Sequence, residues 1–209
     1  EVKTRSLFLY GRYIKKNRGL SQKQGSCKDC NGKGCIFCNN HGIVFFDSIE
    51  GKICQFLYKK FETEQVKFTW IGGEDKTSLV MGNGRPFFVK ILSPKKRKVR
   101  LTKKSDLCEI VLHGLRIIDN IPRGSITFRS KIKLLVAAKN NISSKKLKKL
   151  KQLSGAQITL TDADRKQMKK TIHKLKYNKN SLRSFTIHIE ADGGLPIKHF
   201  VDGIHVIPN

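Results

Sequence analysis

Cys27, Cys30, Cys35 and Cys38 stand in the run CKDCNGKGCIFC, two Cys-x-x-Cys pairs separated by four residues. No other stretch constrains the fold so tightly. Each pair can turn two thiolates toward one point through a tight knuckle, and Gly32 and Gly34 let the two halves fold together. Four thiolates complete a closed tetrahedral site, for which zinc is the fitting ion. With no position left open for water, such a site is structural rather than catalytic. A redox or disulfide arrangement is the alternative for the same residues. His41 lies just outside the spacing and is expected to be a bystander. Residues 25–42 then form a small zinc-binding insertion in whatever domain surrounds them. Cys54 and Cys108 are left over and are expected as buried thiols in a reducing cytosol, so the chain reads as cytoplasmic.

That surrounding chain is strongly basic. It carries 43 Lys and Arg against 16 Asp and Glu, a formal charge of +27 over 209 residues. A surplus of this size calls for a polyanionic partner, with nucleic acid ahead of an anionic membrane. No apolar run approaches the roughly 20 residues of a spanning helix, and no signal-like segment opens the chain. No obligate protein partner is evident. The sequence starts without a Met, which is compatible with a missing upstream part. Residues 95–104, KKRKVRLTKK, hold seven basic residues and no acid, and suit phosphate contact or a solvated charged segment.

Periodicity gives the coarse organisation. Leu7–Tyr10 reads as a short strand followed by a basic polar loop. DSIEGKICQFLYKKFETEQ places apolar residues at 49, 53, 56 and 57 on one helical face, with Asp47 or Ser48 as N-cap. VKFTWI and PFFVKIL read as strands of a hairpin whose long tip holds Glu74 and Asp75. EIVLHGLRII, KIKLLVAA, TIHKLKY and SFTIHIEA read as further strands. SSKKLKKLKQLSG reads as a short serine-capped helix stopped by Gly155, and LPIKHFVDG as a helical turn with Pro196 near its start. Many strands with few helices predict an α+β fold.

Three blocks in order carry a resemblance: LFLYGRYIKKNRGLSQ, GGEDKTSLVMGNGRPFFVKI and IEADGGLPIKHFVDG. Together they resemble the catalytic domain of the archaeal and eukaryotic tRNA pseudouridine synthases that modify the TΨC loop (the Pus-ten type). The central family motif, GREDxDxRxLGxGRPF, aligns without a gap from Gly72 to Phe87. The opening motif, GRYxKxSRxLxQ, matches at Gly11, Arg12, Tyr13, Lys15, Arg18, Leu20 and Gln22. The resemblance covers nearly the whole chain. It implies one catalytic domain over residues 1–209, with no N-terminal THUMP region, and a pseudouridine-synthase-like mixed, mainly antiparallel sheet with flanking helices. The implied activity is conversion of uridine to pseudouridine in tRNA, without an organic cofactor. The target must be flipped into a pocket, beside a carboxylate that acts as nucleophile or handles charge.

Carried over residue by residue, the resemblance puts the catalytic carboxylate on Asp75 and its basic partner on Lys198. Glu74 is then a neighbour without assigned chemistry. Arg12, Tyr13 and Arg18 are expected to touch RNA, while Arg85 either does so or braces the loop through backbone carbonyls. A K-x-Y-x-A strand, whose tyrosine stacks on the target base in the family, aligns with SKIKLLVAA so that Ile132 takes the tyrosine's place. The chain departs from the family at Gly73, Thr77 and Leu79, where charged residues are usual, and at Pro196, where a tyrosine is. These departures keep a second reading open, a non-catalytic zinc-containing RNA-binding relative. His173 and His188 are assigned nothing.

Overall fold

The computed structural model describes residues 4–161, 167–203 and 206–208. The chain divides into two compact units, Glu1–Gly124 and Ser125–Asn209. Each is built on one five-stranded sheet, and every strand pairing among the described residues is antiparallel. The α+β class expected from the sequence is the one observed, with the strands sorted into two sheets.

In the first unit, β1 (Leu7–Lys15) lies at the centre, between β3 (Val80–Leu92) and β5 (Ile110–Ile118). The outer strands are β2 (Gln65–Trp70) and β4 (Lys104–Asp106). The helix α1 (Ile49–Phe61) turns Ile49, Ile53, Leu57 and Phe61 inward, all fully buried against Leu9, Tyr13, Phe87, Val89, Ile91, Ile110 and Leu112. Their spacing of four keeps them on one face, and each such burial is worth roughly 1.5–3 kcal/mol. Ser48 is the N-cap: its hydroxyl accepts from the Gly51 N–H at 2.9 Å and donates to Gln24 Oε1 at 2.6 Å.

Two expectations are corrected here. β1 does not stop at Tyr10 but runs on through Gly11–Lys15, because Leu9, Gly11, Tyr13 and Lys15 alternate inward on a strand paired on both sides. The run GRYIKK looks like a loop because it is basic, yet Lys15 is 1% exposed. Cys54 is buried as expected, whereas Cys108 is exposed, in a turn at φ +65°.

The second unit orders its strands β10 (Val206–Pro208), β7 (Gln157–Thr161), β8 (Gln167–Lys179), β9 (Ser184–Asp192), β6 (Arg129–Ala137). Ile158, Leu160, Ile172, Leu175, Ile187, Ile189 and Ala191 form its core. The helix α2 (Ser144–Lys149) is capped by Ser143 and tightens into a 3-10 turn at Leu150–Leu153; α3 (Ile197–Asp202) follows Pro196. No sequence pattern announces β4, β7 and β10, which have three to five residues each and form through pairing with longer strands or with each other. Among the described residues, no helix is long and apolar enough to cross a membrane.

Candidate functional site

The loop 71–79 between β2 and β3 holds two adjacent acids, and its backbone turns them opposite ways. Glu74 points inward, its side chain 1% exposed, and Asp75 points to solvent. Lys15 Nζ lies 3.0 Å from Glu74 Oε1 and donates to the carbonyls of Leu20, Asp75 and Lys76 at 2.9, 3.3 and 3.2 Å. Its three hydrogens are thus spent on carbonyls, and the contact with Glu74 is held by charge. Arg85 Nε approaches Glu74 Oε2 at 3.5 Å, and the Tyr13 hydroxyl donates to the same oxygen at 2.9 Å. Burial, together with the Glu74 charge, pushes the Tyr13 hydroxyl far above its ordinary range. That phenol is therefore a fixed donor.

Nearly every matched residue of the opening motif grips the central one. Arg12 donates to the carbonyls of Asn83 and Gly84, Arg18 to that of Thr77, and Gln22 to that of Gly72. Gly84 sits at φ +66°, and a Cβ there would lie 2.5 Å from the Tyr13 carbonyl oxygen, so GNGRP needs glycine to let β3 pass β1. Arg85 donates to the Ile71 carbonyl at 3.3 Å. The opening motif is thus the clamp of the central one.

On this clamped loop Asp75 Oδ1 accepts from both the backbone N–H and the hydroxyl of Thr77, at 2.8 and 2.7 Å. Thr77, one of the departures from the family pattern, therefore fixes the carboxylate's rotamer. Of the residues expected to touch substrate, Tyr13 is wholly inside the core. Arg12 and Arg18 are engaged with carbonyls, Arg18 at the surface. Lys198 stands exposed on α3 of the second unit. Ile132 is turned to the core side of β6, opposite Ile189. The Lys and Ala of the pattern K-x-Y-x-A fall on Lys133 and Ala137 in the register that puts Leu135 at the tyrosine position, on the solvent side and 75% exposed. The sequence signal for this register was there, since Lys and Ala both match in it.

The four cysteine sulfurs lie within 4.8 Å of one another. Cys27–Cys35, Cys30–Cys38 and Cys35–Cys38 are 4.0, 3.8 and 3.7 Å apart. A tetrahedral ion with thiolates at about 2.3 Å requires sulfurs about 3.8 Å apart, so the set fits one metal ion. The N–H groups of Gly34, Cys35 and Gly42 point at these sulfurs, which steadies their charge. His41 is no ligand: it stacks on Tyr58 with ring centroids 4.2 Å apart and bonds the Glu64 carbonyl at 2.7 Å, docking the knuckle on α1 and β2.

These parts define a basic α+β protein with a four-cysteine knuckle that fits a metal ion and a clamped, carboxylate-bearing loop. A family model described as Pus10, C-terminal, matches residues 8–205, and the chain belongs to that family. It is 45% identical over 208 residues to a tRNA pseudouridine synthase Pus10 of Nitrosopumilus maritimus, covering 100% of this chain and 54% of the relative. For proteins of the same name from Cenarchaeum symbiosum and Methanocaldococcus jannaschii, identity is 39% and 31%, with 100% and 94% of this chain and 52% and 47% of the relative covered. The chain spans about half the length of these relatives.

Proposed function

We propose that this chain is the catalytic part of a cytoplasmic tRNA pseudouridine synthase, a catalytic domain over residues 1–209 acting on the TΨC loop. The observation that carries this reading is the opposite fate of two neighbouring acids. Glu74 is consumed in a buried cluster, and Asp75 is held out on the loop that the cluster fixes. A rigid scaffold under an exposed carboxylate is what positional catalysis requires.

In the proposed reaction the C1′–N1 bond of the uridine breaks, the uracil turns, and a C1′–C5 bond forms. The proton on C5 is then lost and N1 gains one, so the product is an isomer. Asp75 acts at the ribose or base as nucleophile or charge partner, with its Oδ1 oriented by Thr77. Lys198 is proposed as the basic residue of the reaction. Arg12, Arg18 and Arg85 carry the loop and add positive potential for RNA. Leu135, rather than Ile132, is the apolar side chain proposed to lie against the flipped base. The four cysteines hold zinc, whose part is to fold the knuckle. No organic cofactor enters this scheme.

Incubation with unmodified tRNA, followed by carbodiimide-stop mapping, tests the proposal. Pseudouridine is expected with the wild-type chain and none with Asp75→Ala, at unchanged tRNA affinity. A second reading, a non-catalytic RNA-binding relative, is favoured by Leu135, which offers no hydroxyl to take part in proton removal. Tight tRNA binding without product from either protein would establish it.

A further inference from the structure

The solvent face of the second sheet carries a charge pattern that only strand register discloses. β9 lies between β6 and β8, and its outward residues meet one residue on each side. Lys131 and Lys174 flank Glu190, so this row contains its own counter-charge. Two residues along, Lys133 and Lys176 flank His188. All three are exposed, and among the described residues none makes an ion pair. The next row is Leu135, Thr186 and Asn178, with Leu135 75% exposed.

Directly opposed residues of a sheet have Cβ atoms about 4.5–5.5 Å apart, and like charges so placed repel. Lysines on an edge strand guard against aggregation, which accounts for Lys131 and Lys133 on β6. It does not account for His188, which lies on β9 with a paired strand on each side. The row at His188 keeps two ammonium groups around an imidazole where the neighbouring row keeps a carboxylate. An anion seated there would supply the missing counter-charge, with two ammonium groups and an imidazole on neighbouring strands to hold it. The apolar side chain one row away suits the face of a base, and phosphate beside apolar surface is the pattern of a single nucleic acid strand.

We propose that Lys133, His188 and Lys176 form a binding site for a backbone phosphate of RNA, with Leu135 contacting the adjoining base. This rests on the reading of the chain as an RNA-binding protein. His188→Glu gives the row the charge order of its neighbour, so its effects on folding and on binding have opposite signs. With the full chain and an unmodified tRNA transcript, this variant is expected to bind about three- to tenfold more weakly near physiological salt. The slope of log affinity against log salt should fall by about 1. Its melting temperature should hold or rise. The exposed pair Lys133→Ala with Lys176→Ala should weaken binding in the same way without touching the core.

A folded His188→Glu protein with unchanged affinity and slope overturns the inference. So does a variant that loses binding to polyglutamate while keeping it to tRNA, which would mark an acidic-protein site instead. If the wild-type chain forms pseudouridine and His188→Glu binds as it does, this inference fails alone. If the wild-type chain binds no tRNA, the proposed function fails with it.

Discussion

Replacing Glu74 by Gln tests the clamp most directly. Both side chains of the Lys15–Glu74 pair are essentially buried, at 0% and 1% exposure. Breaking such a pair from one side costs about 3–5 kcal/mol, because the other charge stays inside without its partner. Glutamine keeps an acceptor for the Tyr13 hydroxyl, and Lys15 retains its three carbonyls, so the cost falls at the lower end, about 3 kcal/mol. For a unit spanning Glu1–Gly124, at about 4 °C per kcal/mol, the melting temperature of that unit drops by roughly 12 °C. Lys15→Met combined with Glu74→Leu should cost clearly less than the sum of the single changes, with a coupling of about 2 kcal/mol or more. It should not return to the wild-type value, because the carbonyls of Leu20, Asp75 and Lys76 lose their donor. Denaturant unfolding of wild type, Lys15→Met, Glu74→Leu and the double variant measures the cycle, that of Glu74→Gln the single cost, and hydrogen exchange over residues 71–79 reports the loop. A Glu74→Gln cost below about 1 kcal/mol with no coupling would refute the argument that charge burial holds this loop.

Metal removal and pH give further tests. Cys30→Ser, or chelation of the wild-type chain, should release one zinc per chain in a dye assay and abolish the His41–Tyr58 stacking seen by aromatic NMR shifts; full retention of both would contradict the knuckle. Asp192 is held below the usual carboxylate range by the Thr171 N–H, then by His173 at 2.8 Å. A depressed folded pKa stabilises above the unfolded value of about 3.9 and is lost as pH falls through the folded one. The melting-temperature gap between wild type and Asp192→Asn should therefore close as pH falls below about 4; a gap constant with pH would refute this.

Several features were legible because they depend on neighbours in the chain. The knuckle follows from Cys-x-x-Cys spacing, α1 from its four-residue apolar period and Ser48, and most strands from alternation. Family membership was readable too, since three motif blocks keep their order. The inward turn of Lys15 was not readable. A basic strand end looks solvated until the fold sets a buried carboxylate against it.

Sequence alone determined where the acids, cysteines and basic residues fall along the chain, and which local elements hold them. The tertiary structure decided their roles. It separated Glu74 from Asp75, neighbours of like chemistry, by which of them met Lys15 and Arg85. It buried Tyr13 as a donor to Glu74, and on β6 it turned Ile132 to the core side and Leu135 to the solvent side. It also set His188 between two lysines. For Tyr13, β6 and His188 the reason is common. Side-chain direction alternates along a strand, so one step of register exchanges inside for outside, and cross-strand neighbours are chosen by pairing, which no local stretch of sequence encodes.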